Sequence, residues 1–366
     1  LYNGLSRLFG MAFNIDYTVC VIIMAVLTGI YVIAGGYMAT AINDFIQGLV
    51  MLGGIVAVII AVVNGKGGFA AAFAEMAKIS DPSVGAETGS FASIFGPDPI
   101  GLLGVVLLTS LGTWGLPQMV QKFYAIKDDD AIKKGTVIST IFALVVAGGC
   151  YFLGGFGRLF SDQINISSGG YDSIIPTMLS GLPDILIGIV VILVLSASMS
   201  TLSSLVLTSS STITIDLISE AGKKKMSDKS QVFLMRVLIV VFIAISVIIA
   251  IIQYKSNVTF IAQLMGISWG ALAGAFLAPF LYSLFWKGTT KAACWVNFIF
   301  AVAFMVINFV GNSTGAHILP VILRSPINAG AFCMLAGFII VPIVSAFTKR
   351  PPSGITELSF SNISRK

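Results

Sequence analysis

The stretch that decides the fold is residues 182–215, which read LPDILIGIVVILVLSASMSTLSSLVLTSSSTITI. This stretch is long and apolar enough to cross a membrane as a helix. Twelve of the nineteen residues from Ser196 to Thr214 nevertheless carry a hydroxyl group. Because polar groups are costly inside a bilayer, so many oxygens in one membrane segment call for an explanation.

The whole chain has the composition of an integral membrane protein. Of its 366 residues, 57% are hydrophobic and only 10% are charged, and its mean hydropathy is +0.98. Membrane β-strands would be shorter and would alternate in polarity, so the apolar stretches predict helices and an all-α protein. The nine stretches long enough to span are 17–34, 38–63, 101–123, 136–157, 182–215, 231–254, 258–286, 291–311 and 329–348.

The basic residues indicate the orientation in the membrane. Fifteen of the 21 lysines and arginines lie in alternate connections, which the positive-inside rule makes cytoplasmic: 122–134, 223–236, 287–291 and 349–366. The other six basic residues, Arg7 among them, lie at the opposite ends of the predicted helices. The long loops 64–100 and 158–181 lie on that same side of the membrane. The net charge of +5 therefore reflects topology, and no nucleic-acid partner is expected.

The hydroxyl groups of the deciding stretch form a stripe. At 100° per residue, the following residues lie close to one line along a helix: Ala197, Ser200, Thr201, Ser204, Thr208 and Ser211. Neutral hydroxyl and carbonyl oxygens bind a hard cation such as Na⁺ without burying a full charge. The alternative is structural, since Ser and Thr also bond to the carbonyl four residues back or to a neighbouring helix.

Residues 101–123 predict a broken helix. The stretch is apolar up to Leu111 and then contains Gly112, Gly115 and Pro117, which weaken or interrupt helical hydrogen bonding. In transporters built from repeats, such an interruption points to the binding site. Three side chains beside it suit a small organic solute, namely Thr113, Trp114 and Gln118. The alternative is a simple proline kink.

Asp44 is an acidic residue inside an apolar stretch. It follows a predicted Gly-Gly connection at Gly35 and Gly36 by about two helical turns and has Asn43 and Gln47 nearby. A carboxylate at that depth needs a cation or a donor, so a functional role is the first hypothesis. The alternative is an interfacial charge favoured by the helix dipole.

Cysteine and histidine exclude several kinds of site. The four cysteines lie singly in apolar stretches without CxxC spacing, and the only histidine, His317, falls in an expected external loop. A metal cluster and a Ser-His-Asp triad are therefore unsupported, and we do not expect an enzyme.

Four stretches resemble the sodium:solute symporter family, and most closely its sodium/proline branch. They are YVIAGGYMATAINDFIQ at 31–47, GLPQMVQKFYAIKDDDAIKKG at 115–135, LSASMSTLSSLVLTSSSTITIDL at 195–217 and GISWGALAGAFLAPFLYSLFWKGTTKAA at 266–293. The resemblance covers nearly the whole chain. Its most specific parts are SMSTLSS and the pattern in which two glycines precede Asp44 and Gln47.

The resemblance implies a LeuT-like bundle of two inverted five-helix repeats. The chain would then begin inside the third core helix, with the upstream helices of the same protein missing from it. The implied parts are the end of core helix three with core helices four and five (1–63), an external loop (64–100), core helices six to ten (101–286), two peripheral helices (287–348) and a flexible cytoplasmic tail (349–366).

The resemblance also implies ion ligands. The main sodium site matches the backbone carbonyl of Ala197 with the hydroxyls of Ser200 and Thr201. A second sodium site, which only some members have, matches Asp44, Ser203 and Ser204.

The expected function is Na⁺-driven symport of a small organic solute by alternating access, without covalent chemistry. Thr109 and Thr113 stand where the proline branch carries aromatic residues, which argues against proline, and the absence of the sugar branch's Asn and Tyr favours an amino acid or carboxylate. We expect a multi-pass protein of the plasma membrane, the inner membrane in a bacterium, whose partners are the solute, Na⁺ and the lipid bilayer. The alternatives are a proton-coupled permease with Asp44 as the proton carrier, and a membrane enzyme or sensor module that does not transport.

Overall fold

The computed structural model describes residues 1–123, 126–164, 170–222, 226–256, 261–316 and 318–352, with Gly354, Thr356 and Phe360 of the tail. The side chains of residues 35–40, 43, 221 and 256 also lie outside the description, as do the predicted lysine cluster at 223–225 and His317. Within the described residues the structure is helical, apart from one isolated bridge between Asp81 and Ala86. The all-α prediction is confirmed.

The α-helices of the described part of the chain are α1 (Tyr2–Phe13), α2 (Tyr17–Gly65), α3 (Phe69–Lys78), α4 (Pro99–Ser110), α5 (Pro117–Phe123), α6 (Asp129–Gly155), α7 (Ile174–Ser180), α8 (Asp184–Ser211), α9 (Asp228–Ser256), α10 (Ile261–Phe285), α11 (Lys291–Thr314), α12 (Val321–Arg324) and α13 (Pro326–Phe347). Shorter 3₁₀ segments include Gly112–Gly115 and Phe156–Gln163, and α8 continues as a π-helix over Thr212–Ala221.

The helices form two compact units. The first contains residues 1–97 and 126–261, and the second contains residues 98–125 and 262–366. Eight described stretches are long and apolar enough to cross a membrane: Tyr17–Ala34, Asp44–Gly65, Asp129–Gln163, Asp184–Glu220, Asp228–Lys255, Ile261–Phe285, Lys291–Thr314 and Pro326–Phe347. The chain is thus a multi-pass membrane protein. The remaining predicted stretch, 101–123, is not among these eight, because α4 has only 12 residues and the helix breaks after it.

The predicted connection at Gly35 and Gly36 is also wrong, because α2 runs through both glycines for 49 residues. A glycine inside a helix costs only about 1 kcal/mol relative to alanine and keeps its N–H donor. A proline would remove that donor, and none occurs between Tyr17 and Gly65. At 1.5 Å per residue α2 is about 73 Å long, and it holds two of the spanning stretches, separated by residues 35–43.

The core of the first unit lies where α2, α8 and α9 pack together. Val32 of α2 shares one apolar cluster with Leu202 and Val206 of α8. Further along α2, a Cβ added at Gly54 would lie only 2.9 Å from Leu193 Cδ1, so this glycine allows the two helices to approach closely. The two helices therefore pack against each other.

In the same unit, the loop after α2 is held against residues 158–160 by two cations. Arg158 Nη1 lies 2.8 Å from Asp81 Oδ2, and Lys66 Nζ donates to the Leu159 carbonyl at 2.9 Å. Lys66 Nζ also lies 4.2 Å from the centre of the Phe160 ring. The Ser83 hydroxyl and then the Arg158 guanidinium hold the pKa of Asp81 below its usual value.

In the second unit, α10 contains a proline that does not end the helix. Pro279 has no N–H to offer the carbonyl of Ala275, four residues earlier. The Asn297 side chain of α11 supplies that donor, since its Nδ2 donates to the carbonyls of Gly274 and Ala275, both at 2.9 Å. One buried asparagine therefore compensates for the proline.

Candidate functional site

The hydroxyl-rich helix α8 has two faces of different exposure. Over its second half, from Ser198 onward, the buried residues are Ser198, Leu202, Ser203, Val206 and Ser210. The stripe predicted from the sequence lies on the other face, where Ala197 and Ser200 are half-buried and Thr201 is exposed. Packing within this unit therefore does not bury the stripe.

Two of the three predicted ligands of the main sodium site touch each other. Thr201 Oγ1 donates to the carbonyl oxygen of Ala197 at 3.0 Å. This is the bond to the carbonyl four residues back that was the structural alternative for the stripe. The Thr201 hydroxyl uses only its hydrogen in this bond, so lone pairs remain on both oxygens. Hard cations such as Ca²⁺ take oxygen ligands at about 2.3–2.6 Å, and Na⁺ is of similar size, so two oxygens at this separation can contact one ion.

The residues of the candidate second sodium site lie on helices that pack together. Ser203 is 1% exposed, and its Oγ donates to the Ser200 carbonyl at 2.9 Å, whereas Ser204 is half-buried. Asp44 is half-buried with its Oδ1 fully covered. It lies on α2, which packs against α8.

Gln47 extends the polar group around Asp44 by one helical turn. Its Oε1 is buried and has no hydrogen-bond partner among the described residues. A buried amide oxygen normally has a donor or a cation beside it. The α2 segment that carries Asp44 thus presents at least two buried oxygen atoms within an apolar stretch.

The predicted break in the second unit is confirmed. Helix α4 ends at Ser110, a 3₁₀ turn covers Gly112–Gly115, and α5 begins at Pro117. A Cβ added at Gly115 would lie 2.9 Å from Leu277 Cβ and 3.0 Å from Ala273 Cα of α10. The turn therefore packs closely on α10, and this contact requires glycine.

The three predicted solute residues have different environments. Trp114 is 56% exposed, whereas Gln118 is 8% exposed. Thr113 is half-buried, and its Oγ1 donates to the Ser110 carbonyl at 2.9 Å, which satisfies one carbonyl released by the break. These residues belong to the second unit, whereas the candidate sodium ligands belong to the first.

A π-helix follows the hydroxyl stripe, and no sequence pattern predicted it. Over Thr212–Ala221 the backbone widens, and Thr214 is fully buried with no partner for its Oγ1 among the described residues. Wide turns of this kind occur frequently at functional sites. Within the described ranges, no group of three or more His, Cys, Asp or Glu residues could hold a metal ion.

Known proteins match the chain in both sequence and structure. The osmoregulated proline transporter OpuE of Bacillus subtilis is 29% identical over 352 residues, covering 94% of this chain and 66% of that protein. A sodium/proline symporter of Staphylococcus aureus is 28% identical over 357 residues, covering 94% of this chain and 65% of that protein. The chain thus spans about two thirds of the length of these curated relatives.

A solved structure supports the fold. A Na⁺-coupled sialic acid symporter in a substrate-bound outward-open state matches with a TM-score of 0.66 at 17% identity, covering 95% of this chain and 74% of that one. This likeness confirms the predicted LeuT-like bundle. The profile of the sodium:solute symporter family matches residues 3–299. Because that match extends over most of the chain, the chain belongs to the sodium:solute symporter family.

Proposed function

We propose that the protein containing this chain is a Na⁺-coupled symporter that imports a small organic solute by alternating access. The observation that carries the proposal is the pair formed by the Ala197 carbonyl oxygen and Thr201 Oγ1, 3.0 Å apart on the face of α8 that the first unit leaves unburied. Family membership makes ion binding the preferred explanation of this pair over helix packing. The mechanism includes no covalent chemistry.

In this proposal Ala197, Ser200 and Thr201 hold the ion that drives transport. Binding through neutral oxygens suits a monovalent cation that must also be released, since it avoids a tightly bound charge pair in the membrane. Asp44, Ser203 and Ser204 form the second sodium site. The covered Oδ1 of Asp44 and the packing of α2 on α8 support this assignment.

The solute site is proposed at the broken segment between α4 and α5. Trp114 offers an exposed ring as an apolar wall, and Thr113 and Gln118 provide polar groups that would orient the solute. Two relatives are named as proline transporters. Thr109 and Thr113 make the segment less aromatic than in the proline branch, so we propose another amino acid or a small carboxylate as the solute.

The proposal is tested by uptake into proteoliposomes that contain the protein. Labelled amino acids and carboxylates are supplied with an inward Na⁺ gradient, with equal Na⁺ on both sides, or with K⁺ replacing Na⁺. We expect at least one solute to accumulate only under the Na⁺ gradient. Equal uptake in all three conditions for the whole panel would contradict Na⁺ coupling.

Proton coupling is a second candidate, favoured by the covered carboxylate of Asp44 in an apolar stretch. A carboxylate inside an apolar stretch can carry a proton as well as bind a cation, because both neutralise its charge. A pH gradient at fixed Na⁺ separates the two candidates. Accumulation driven by the pH gradient alone would replace the Na⁺ proposal with a proton-coupled permease.

A further inference from the structure

The second unit carries four exposed cations in two pairs that none of the assignments above uses. Lys287 and Lys291 lie at the connection between α10 and α11, and Lys349 and Arg350 follow α13 directly. We call these four residues the basic cluster. The positive-inside rule places all four at the cytoplasmic side of the membrane.

Hydrogen bonds between the two segments bring the two pairs together. Thr290 Oγ1 lies 2.6 Å from Thr348 Oγ1, and the backbone N–H of Thr290 donates to Ser345 Oγ at 3.2 Å. Thr290 is 1% exposed, so this junction is buried. Lys291 and Lys349 each follow one of the two bonded threonines directly. The fold therefore assembles the basic cluster from segments that are far apart in the sequence.

Little negative charge is available to balance the basic cluster. From residue 229 to the end of the chain the sequence has one acidic residue, Glu357, which lies outside the described residues. Within the described ranges, none of the four cations forms an ion pair. Lys287 Nζ lies 5.5 Å from the centre of the Phe360 ring, a contact that leaves its charge in place. One carboxylate cannot neutralise four cations, so the cluster keeps a net positive charge.

Two exposed phenylalanines show that the basic cluster lies at the membrane surface. Phe285 is the last residue of α10 and is 81% exposed, and Phe347 is the last residue of α13 and is 86% exposed. Both residues end stretches that are long and apolar enough to span. Lys287 and Lys349 each follow one of them by two positions. Their long side chains therefore reach the level of the lipid headgroups.

We propose that the basic cluster binds the headgroup of an anionic phospholipid that carries two phosphate groups, with one pair of cations on each phosphate. Basic residues just outside the cytoplasmic ends of membrane helices attract anionic lipids. Ammonium and guanidinium groups donate charge-assisted hydrogen bonds to phosphate oxygens. Two pairs joined through Thr290 and Thr348 suit two linked phosphates, and the exposed phenylalanines lie beside the acyl chains. This site does not depend on the proposed function.

The binding test uses the purified protein in a neutral detergent, without transport, and native mass spectrometry of the lipids that it retains. Cardiolipin, with two phosphates, is compared with phosphatidylglycerol, with one, at equal phosphate concentration. We expect cardiolipin to bind at least fivefold more tightly. Equal affinity for the two lipids would overturn the proposal.

Sodium pyrophosphate separates a lipid from a soluble anion as the ligand. It has two linked phosphates but no acyl chains, so at equal concentration it should not displace cardiolipin. Displacement by pyrophosphate would assign the basic cluster to a soluble anion and overturn the lipid site.

Two double variants locate the bound cardiolipin. Lys287→Gln with Lys291→Gln removes one pair of cations, and Lys349→Gln with Arg350→Gln removes the other. Each should weaken cardiolipin binding at least tenfold, because each takes the cations from one phosphate. All four side chains are exposed, so the melting temperature without lipid should not fall. Wild-type affinity in either double variant would overturn the two-segment site.

The matched control is Lys133→Gln with Lys134→Gln, an exposed pair of cations near the start of α6 on the same predicted side of the membrane. These cations have acidic neighbours, since residues 128–130 are all aspartate and Lys133 Nζ lies 3.9 Å from Asp130 Oδ1. The control should therefore keep the wild-type affinity for cardiolipin. Equal weakening in the control would show a general effect of charge and would also overturn the site.

Discussion

Asp44 is the only acidic residue between Tyr17 and Gly65, and its Oδ1 is fully covered. The Asp44→Asn change keeps the size of the side chain and removes its charge. If the carboxylate holds a cation, the Na⁺ concentration for half-maximal uptake should rise by about tenfold, equivalent to about 1.4 kcal/mol. An interfacial charge would contribute only about 0.3–1 kcal/mol through the helix dipole and would tolerate asparagine.

The control for Asp44→Asn is Asp184→Asn, which changes an exposed carboxylate in the first turn of α8. Protein yield, Na⁺ affinity and pH dependence are measured on both variants. Normal yield with normal Na⁺ affinity in Asp44→Asn would reject the second sodium site. Loss of pH dependence alone would favour proton coupling.

At the scale of single residues, sequence spacing predicted the hydroxyl stripe of α8 but not the hydrogen bonds that its hydroxyls make. Helical periodicity alone places Ala197, Ser200 and Thr201 on one side of α8, because the angle between successive residues is nearly constant. Whether a hydroxyl turns to its own helix or to a ligand depends on a rotation about one bond, which no sequence pattern fixes. Thr201 does turn to its own helix here, at 3.0 Å from the Ala197 carbonyl.

At the scale of elements, the break between α4 and α5 depends on a glycine that lets the 3₁₀ turn pack on α10. In Gly115→Ala the new methyl group would lie 2.9 Å from Leu277 Cβ. Overpacking of this kind costs about 1–3 kcal/mol, so the melting temperature in detergent should fall. Gly148→Ala in α6 is the control, because a Cβ there meets nothing within 4 Å and alanine favours the helix.

Equal melting temperatures for Gly115→Ala and Gly148→Ala would contradict the close packing of the turn. If Gly115→Ala is destabilised but still folds, its solute affinity should also change, since Trp114 precedes the altered residue. An unchanged solute affinity in that variant would count against a solute site at the break.

Four positions show why helix interruptions were only partly predictable. Pro117 begins a helix and Gly112 lies in the 3₁₀ turn, as their chemistry suggests. Gly35 continues α2, because glycine weakens a helix without removing a donor. Pro279 stays inside α10 because Asn297, 18 residues further along the chain, replaces the missing N–H. The outcome thus depends on tertiary contacts as well as on the residue itself.

At the scale of the molecule, the pairing of Asp81 with Arg158 joins the loop after α2 to the end of the α6 span. The Ser83 hydroxyl and Arg158 lower the pKa of Asp81. The folded-state pKa therefore lies below the unfolded value, and the stabilisation is present above about pH 4. It is lost as the pH falls through the lowered pKa.

Asp81→Asn should therefore speed proteolytic cleavage within residues 64–100 at neutral pH. Acidification below the pKa of Asp81 should loosen the loop of the unmodified protein in the same way. Glu87→Gln, an exposed carboxylate of the same loop, is the control. Equal cleavage rates in the two variants would show that the ion pair does not hold the loop.

A cavity beside Arg7 in the first unit could not be predicted from the sequence. Its wall combines residues of α1, α2, α7 and α9 that are separated by up to 248 positions, from Ser6 to Tyr254. No periodic pattern joins such distant segments, and only their packing brings Arg7 of α1 close to Tyr254 of α9. The overall helical class, in contrast, follows from composition and from the lengths of the apolar stretches.

The central claim, that oxygens of α8 bind the driving Na⁺, is tested most directly by comparing Thr201→Ala with Thr140→Ala. Both threonines are exposed, and each donates to the carbonyl four residues earlier, at 3.0 Å for Thr201 and 2.7 Å for Thr140. Only Thr201 is a proposed ion ligand. The Na⁺ dependence of solute uptake is measured for both variants in proteoliposomes. Thr201→Ala should raise the Na⁺ concentration for half-maximal uptake at least tenfold, about 1.4 kcal/mol, while Thr140→Ala leaves it unchanged. The same Na⁺ dependence in both variants would contradict the account and leave the hydroxyl of Thr201 with a purely structural role.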